Sequence, residues 1–389
     1  MIRVGFVLTF TGQSWLGGAS YFRNLLSAVS DLPERTIEPI IITRPDTPKE
    51  ALDQFPNTEV LRTNLVCIEQ PWWKIRRVMQ KYLSRDYLFE NFLLRNEIKV
   101  LSHSGHLGSR CPIRTLPWIP DFQELHLPTL FSMKELAARA RQIDECCKHS
   151  TAIVLSSHSA RRDLQTLSFE YASRAKVLPF VAAVPLLDQL PERVYLEQKY
   201  GFDGLYFHLP NQFWKHKSHE TVVNALEILR SKGISCLIIS TGNLQDYRHP
   251  DHFNHLMDHI SKSGLQDNFR VLGVVPYLDL MGLMANSVAV INPSVFEGWS
   301  TTVEEAKSFG KTVLLSDIEV HREQSPCRGH YFEAGNSSAL ADAITNVLAS
   351  YLPISEKMKL AETLSKLPER RRRFAELFEQ IVHDVNTRG

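Results

Sequence analysis

Short β-branched runs alternate with helical patterns twice along this chain, and the rhythm fails once in between. That alternation implies parallel sheets flanked by helices. In the first half, strands are expected at residues 3–8, 39–43, 99–102, 115–119 and 152–156, with helices at 20–30, 73–94, 133–147 and 159–167. The segment 180–201 loses the pattern, holds Pro185 and Pro191, and reads as a connection. Strands are expected again at 205–209, 236–240, 269–272, 288–292 and 312–316, with helices at 219–231, 252–263, 278–285, 302–309 and 338–349. Pro368 suits the first turn of a last helix running toward Val385. A chain of 389 residues exceeds one ordinary core. The expected domains are 1–190, 191–365 and a closing helix over 366–389 that packs back toward the first domain. Two successive α/β domains imply a cleft, because such sheets bind ligands beyond the carboxyl ends of their strands.

Composition removes several function classes. The net charge of +1 gives no global field for nucleic acid, so any anion site is local. Six cysteines without a CxxC pair read as reduced thiols, which points to the cytoplasm. The opening Met1-Ile2-Arg3-Val4-Gly5-Phe6-Val7-Leu8 is too short for a signal peptide. No run approaches the roughly 20 apolar residues of a spanning helix.

The most informative stretch runs from Asn292 to Ala306, Asn-Pro-Ser-Val-Phe-Glu-Gly-Trp-Ser-Thr-Thr-Val-Glu-Glu-Ala. A strand ends, a loop with Gly298 follows, and a helix opens at Thr301 or Thr302 and stops at Gly310. A helix N-terminus aims backbone N–H groups and partial positive charge at its loop, which suits phosphate. Glu297 precedes that N-terminus and Glu305 lies within the helix; carboxylates there can accept hydrogen bonds from sugar or ribose hydroxyls. A structural reading stands beside this one. Thr301 with Glu304, and Thr302 with Glu305, both have capping-box spacing. Glu304 and Glu305 point about 100° apart on a helix and cannot share one task.

Taken with Pro293-Ser294, Gly310, Thr312-Val313, Ser316-Asp317 and Val320-His321-Arg322-Glu323, this string resembles family 4 glycosyltransferases. The resemblance extends over most of the chain and is strongest from about Val271 to Glu333. It implies a GT-B fold, with two Rossmann-like domains facing a cleft, and retaining chemistry with a Glu-x7-Glu element. By the same resemblance Glu297 sits by the donor sugar, Glu305 binds the ribose hydroxyls, and Trp299, Ser300 and Thr301 supply amides to the diphosphate. Ser300-Thr301-Thr302 replaces the commoner Gly-Leu-Pro, so hydroxyls are expected to supplement those amides. Gly17-Gly18, between the first strand and a helix, resembles the family's glycine pair near the β-phosphate, although alone a Gly-Gly is just a turn.

Two departures matter. The family carries an Arg and, five residues on, a Lys at the diphosphate. Lys217 matches the Lys, but Gln212 occupies the Arg position, and an amide cannot supply a guanidinium's charge. Lys215 is the candidate replacement; both lysines can also be read as surface residues at a helix start. The family's His-Asp pair is absent from Ile119-Pro120-Asp121-Phe122. His126 is the nearest substitute, with His103 and His106 on another strand-end loop, and each also reads as a loop histidine without a role.

His252, His255 and His259 share a helical face that has zinc-like spacing, yet a solvated face is the plainer reading, and no metal or cofactor is expected. From Trp72 to Arg85, Lys74, Arg77, Lys81 and Arg85 line one side of a helix, opposite Trp72, Ile75, Met79, Tyr82 and Leu83. Such a helix either lies on an anionic membrane or covers its own sheet with its charges in water.

Together these features imply a retaining transfer of a hexose or related sugar from a UDP- or GDP-linked donor to a hydroxyl. The acceptor is a carbohydrate or is lipid-linked, in polysaccharide or glycolipid synthesis. The expected place is the cytoplasm, with peripheral contact at the inner face of a membrane. A non-catalytic scaffold of the same architecture and a nucleotide-sugar isomerase are the alternatives.

Overall fold

The apolar runs become parallel strands that are covered on both faces, which is why strands such as Tyr206–Leu209 and Val313–Ser316 are buried at every position. The computed structural model describes residues 1–9, 16–55 and 57–387. The chain divides into residues 1–181 with 369–389, and residues 182–368.

In the first unit β1 (Ile2–Val7), β2 (Ile37–Thr43), β3 (Glu59–Arg62), β4 (Ile98–Ser102) and β5 (Arg114–Leu116) form a parallel sheet in the order β3-β2-β1-β4-β5. A smaller parallel sheet joins β6 (Trp118–Ile119), β7 (Ile153–Leu155) and β8 (Ala175–Val177). The expected single strand over 115–119 is therefore two. Pro117 has no N–H to give a ladder, and its carbonyl instead accepts from Val154 at 2.8 Å. The expected helix over 73–94 is also two, Pro71–Leu83 and Tyr87–Arg95. Ser84 takes the left-handed conformation at φ 54°, and the Asp86 side chain caps the second helix at Phe89 N–H. Arg85 thus leaves the basic line and pairs with Glu90.

In the second unit β9 (Tyr206–Leu209), β10 (Leu237–Thr241), β11 (Phe269–Gly273), β12 (Val290–Asn292), β13 (Val313–Ser316) and β14 (Gly329–Phe332) run parallel in the order β11-β10-β9-β12-β13-β14. One face packs Phe207, Leu209, Val222, Leu226, Ile291 and Ile344; the other packs Tyr206, Ile239, Leu196 and Leu283. Full burial of such a side chain is worth about 1.5–3 kcal/mol. From β9 the chain winds outward through β10 and β11, then returns to place β12 on β9's other side. That reversal is a topological switch point, where α/β sheets open a crevice.

Two boundaries differ from expectation. The units divide at Val181/Ala182 rather than at 190/191. Residues Val184, Leu187 and Leu190 pack on the second unit's core, and 193–200 is a helix whose Leu196 is buried there. Pro368 does not open a helix; it lies inside the helix Pro353–Thr387, where it cannot donate to the Leu364 carbonyl. Residues after Pro368 belong to the first unit, where Glu379 accepts from Thr36 N–H at 2.7 Å and Arg371 pairs with Asp31 at 2.8 Å. Among the described residues, no helix is long and apolar enough to cross a membrane.

Candidate functional site

Two neighbouring strands of the second unit deliver the opposite charges of the site. β9 leads through Pro210 and Asn211 to the one-turn helix Lys215–Lys217, and β12 leads through Pro293 to the loop before the helix Thr301–Phe309. Because β9 and β12 are adjacent at the switch point, their exit loops meet beyond the strand ends. Lys217 Nζ donates to Glu297 Oε1 at 2.6 Å, with the side chains only 17% and 8% exposed. Burial alone would push the Glu297 carboxyl up, but the charge of Lys217 and its hydrogen bond to the carboxylate outweigh it. The carboxyl is held below the ordinary glutamate range.

A polar network fixes the loop between strand and helix. Asn292, at the end of β12, accepts through Oδ1 from Asn211 Nδ2 at 3.2 Å and from Ser294 Oγ at 2.7 Å. Its Nδ2 donates to Ser300 Oγ at 2.8 Å. Ser300, rather than either threonine, is the helix N-cap and accepts from Val303 N–H. Its own N–H donates to Gln324 Oε1 at 3.2 Å, and its carbonyl accepts from Gln324 Nε2 at 2.9 Å. Thr302 Oγ1 donates to the Pro210 carbonyl at 2.9 Å and so ties the helix to the exit of β9. Gly242 makes close packing here possible. At φ +144°, a Cβ there would lie 2.5 Å from the Asn211 carbonyl oxygen.

The capping boxes expected from sequence do not form. Glu304 is buried and engages Lys307 at 3.5 Å and Gln324 at 3.3 Å, so it braces the helix from its side. Glu305 is buried on the same helix. Ser300 uses both its hydroxyl and its amide in bonds inside the unit. Thr301 and Thr302, as the first two helical residues, have N–H groups with no acceptor within the helix. Trp299 is half-buried just before them.

The remaining candidates divide between the two units. Lys215 is exposed, and its backbone N–H is held by Asp246 at 3.0 Å. Gly17 and Gly18 lie in the first turn of the helix Leu16–Ser30, not in a loop before it, and residues 10–15 fall outside the described residues. His126 ends a four-residue helix in the first unit and bonds Asp163 at 2.9 Å. His103 lies half-buried between Tyr21, at 2.7 Å, and Ser102, at 2.8 Å. Burial also pushes His106 down to about 4, with His149 adding to the effect. No three His, Cys, Asp or Glu side chains among the described residues are gathered as a metal site needs.

Sequence reasoning gave no role to His321. It is fully buried on the helix Glu319–Gln324, and its Nδ1 donates to the Ser316 carbonyl at 2.8 Å. A carbonyl can only accept, so Nδ1 carries the proton, and Nε2 is a buried lone pair without a partner among the described residues. Burial, more than any charge, keeps the ring neutral, while Glu297 and Lys217 act on it with opposite signs. The signal in the sequence was a histidine five residues after Ser316, at the end of a strand.

Residues 203–366 match the family described as glycosyl transferases group 1. No curated protein matches the sequence. Among solved structures, Anabaena Alr3699/HepE in complex with UDP and glucose is similar over 100% of both chains, at 15% identity and a TM-score of 0.68. Sucrose-phosphate synthase from Thermosynechococcus elongatus is similar over 99% of both, at 13% identity and a TM-score of 0.65. WaaG, a glycosyltransferase involved in lipopolysaccharide biosynthesis, is similar over 99% of this chain and 100% of its own, at 16% identity and a TM-score of 0.59. The fold of the chain is GT-B, and that fold with the group 1 match over residues 203–366 supports a GT-B glycosyltransferase.

Proposed function

We propose that the chain moves a sugar from a UDP- or GDP-linked donor to a hydroxyl of a carbohydrate or lipid-linked acceptor, with retention at the anomeric carbon. The observation that carries this reading is the buried Lys217–Glu297 pair beside the N-terminus of the helix Thr301–Phe309, at the switch point of the second sheet. A donor diphosphate takes Lys217 as its counter-charge, with Lys215 and the Thr301 and Thr302 amides adding to it, and Trp299 lies alongside. Charge grows on the leaving diphosphate during transfer, so groups already fixed there lower the barrier without reorganising. Glu297, once its lysine turns to phosphate, is an acceptor for sugar hydroxyls; Glu305 takes the ribose. The departing diphosphate accepts the acceptor's proton on the same face. Gly17, Gly18 and His126 are the first unit's contributors in this scheme. HepE, whose solved complex holds UDP and glucose, supports a UDP-linked donor.

Polysaccharide or glycolipid synthesis is the proposed setting, with the protein in the cytoplasm and in peripheral contact with a membrane. Gln212 in place of a family arginine favours one rival, a scaffold without turnover. Thermal-shift measurement against UDP-, GDP- and ADP-sugars, followed by incubation of the best donor alone and with sugar acceptors, separates the readings. A donor that raises the melting temperature and releases its nucleotide faster with acceptor is expected. No stabilisation by any donor would leave the scaffold, and conversion of the donor sugar without acceptor would make it an isomerase.

A further inference from the structure

The helix Pro71–Leu83 packs in an unusual sense: none of its side chains is buried, and the residues that anchor it are polar. Arg76 reaches inward to the fully buried Asp86 at 2.8 Å and lies over the Phe89 ring, 4.1 Å from its centroid. One turn on, Gln80 donates to the same carboxylate at 3.1 Å and to the His106 carbonyl at 3.1 Å. The apolar residues turn outward instead. Trp72 is 49% exposed, Ile75 40%, Val78 55% and Tyr82 71%. At about 100° per residue, Trp72, Ile75, Met79 and Tyr82 fall within roughly 80° of one another. Lys74, Arg77 and Lys81 fall within roughly 60° in a neighbouring sector, with exposed Val78 between the two. The helix has no acidic residue. The alternative expected from sequence, a helix covering its own sheet, is therefore not what forms.

We infer that this face docks on an anionic lipid surface. A large apolar stripe left in water on a helix held by an Arg–Asp anchor is an interaction site by its cost alone. The basic sector beside it selects the occupant. Lysine and arginine stems lie along apolar surface while their heads reach charged groups at the rim, which is the arrangement of a helix lying at a headgroup boundary. A second copy of the chain fits poorly, since pairing this face with itself would oppose Lys74, Arg77 and Lys81 to their own counterparts. The inference deepens the membrane contact proposed above and does not depend on sugar transfer, which donor affinity without vesicles tests separately.

The full chain is sedimented with phosphatidylcholine vesicles and with vesicles in which a third of the lipid is phosphatidylglycerol. It should partition onto the anionic vesicles, and the fraction bound should fall as salt is raised. Each basic residue near such a surface contributes roughly a fivefold gain, so the triple variant Lys74→Ala, Arg77→Ala, Lys81→Ala should lose partitioning on the order of a hundredfold. The double variant Trp72→Gln, Ile75→Gln should lose the part that survives high salt. All five side chains face solvent, so circular dichroism melts should match the wild type and keep the comparison clean. Equal partitioning onto both vesicle types, or an unaffected triple variant, would overturn the inference. So would a concentration-dependent dimer, abolished by the double variant, in a protein that ignores vesicles.

Discussion

Lys217→Met should unsettle the second unit through Glu297 before any substrate is involved. The wild-type pair is 2.6 Å apart and nearly buried. At an effective dielectric near 20, opposite charges about 4 Å apart attract by about 4 kcal/mol, and leaving one member of a buried pair alone costs about 3–5 kcal/mol. In a domain of this size each kcal/mol moves the melting temperature by about 2–4 °C, so the unit's transition should fall by on the order of 10 °C. Lys217→Met with Glu297→Gln removes both charges and should recover most of that loss, since a neutral pair of similar shape costs little. Sugar transfer should be absent from both variants. Recovered stability without recovered activity is the pattern that distinguishes a site from a brace.

The same variant should reverse a pH dependence. In the wild type the Glu297 carboxyl titrates below its unfolded value of about 4.3, so its stabilisation is full above that value and is lost as pH falls through the lower, folded one. Without Lys217, burial dominates and pushes the carboxyl up. The folded state then holds a proton that the unfolded chain has released, and acidification from neutrality should raise stability relative to the wild type. His216 and His321 also face this carboxylate, and a proton taken by either gives the same sign. The measurement is a series of calorimetric melts between pH 4 and 8. A single variant that melts with the wild type, a double variant no better than the single, or parallel pH curves would refute the reasoning.

Glu305→Gln should weaken UDP or GDP binding by about 1.5–3 kcal/mol in titration calorimetry, the scale of a charged hydrogen bond, whereas Glu304→Gln should leave affinity alone and lower the melting temperature. Gly310→Ala should cost at least about 1–3 kcal/mol in denaturant unfolding, because Gly310 sits at φ +74° and a Cβ there would collide with the Thr363 side chain. Burial pushes the Lys311 amine down to about 8 from 10.5. Between those values the unfolded chain binds more protons, so stability should rise with pH over that window, and Lys311→Met should remove the rise.

The sheets were legible because parallel strands write themselves as continuous apolar runs. What escaped was short or interrupted. β3, β8 and β14 are three or four residues each, with exposed or half-buried positions, and so lack the run that marks a central strand. Pro117 divides one apolar run between two sheets, and Ser84 divides one helical pattern between two helices. Pro117 cannot donate to a ladder, and Ser84 takes a left-handed conformation that its residue type does not announce. Pro368 shows the converse. A residue that prefers a first turn is carried inside a helix because Leu360 and Leu367 before it and Phe374 and Phe378 after it are all buried.

The candidate site was half legible for a related reason. Glu297, Glu305 and Lys217 stand out by residue type and spacing, and their loops by the strand-to-helix pattern. The meeting of Lys217 with Glu297 depends on β9 and β12 being neighbours, a fact about sheet order that no local spacing carries. The network around them was invisible because its members look ordinary. Asn292 reads as a strand end, Ser300 as an amide for a diphosphate, and nothing marks Gln324, yet each is buried and satisfies the polar groups of the others. Such a network raises the cost of any other loop conformation, since moving one member leaves two buried polar groups unpaired. His321 Nε2 is the exception that the network leaves open. Glu304 and Glu305 make the same point from the opposite side. Adjacent, identical and both buried, they look alike in the sequence, and only the structure shows Lys307 and Gln324 engaging the first. Residue type narrows a site to its candidates, and the packing around each candidate decides what it can do there.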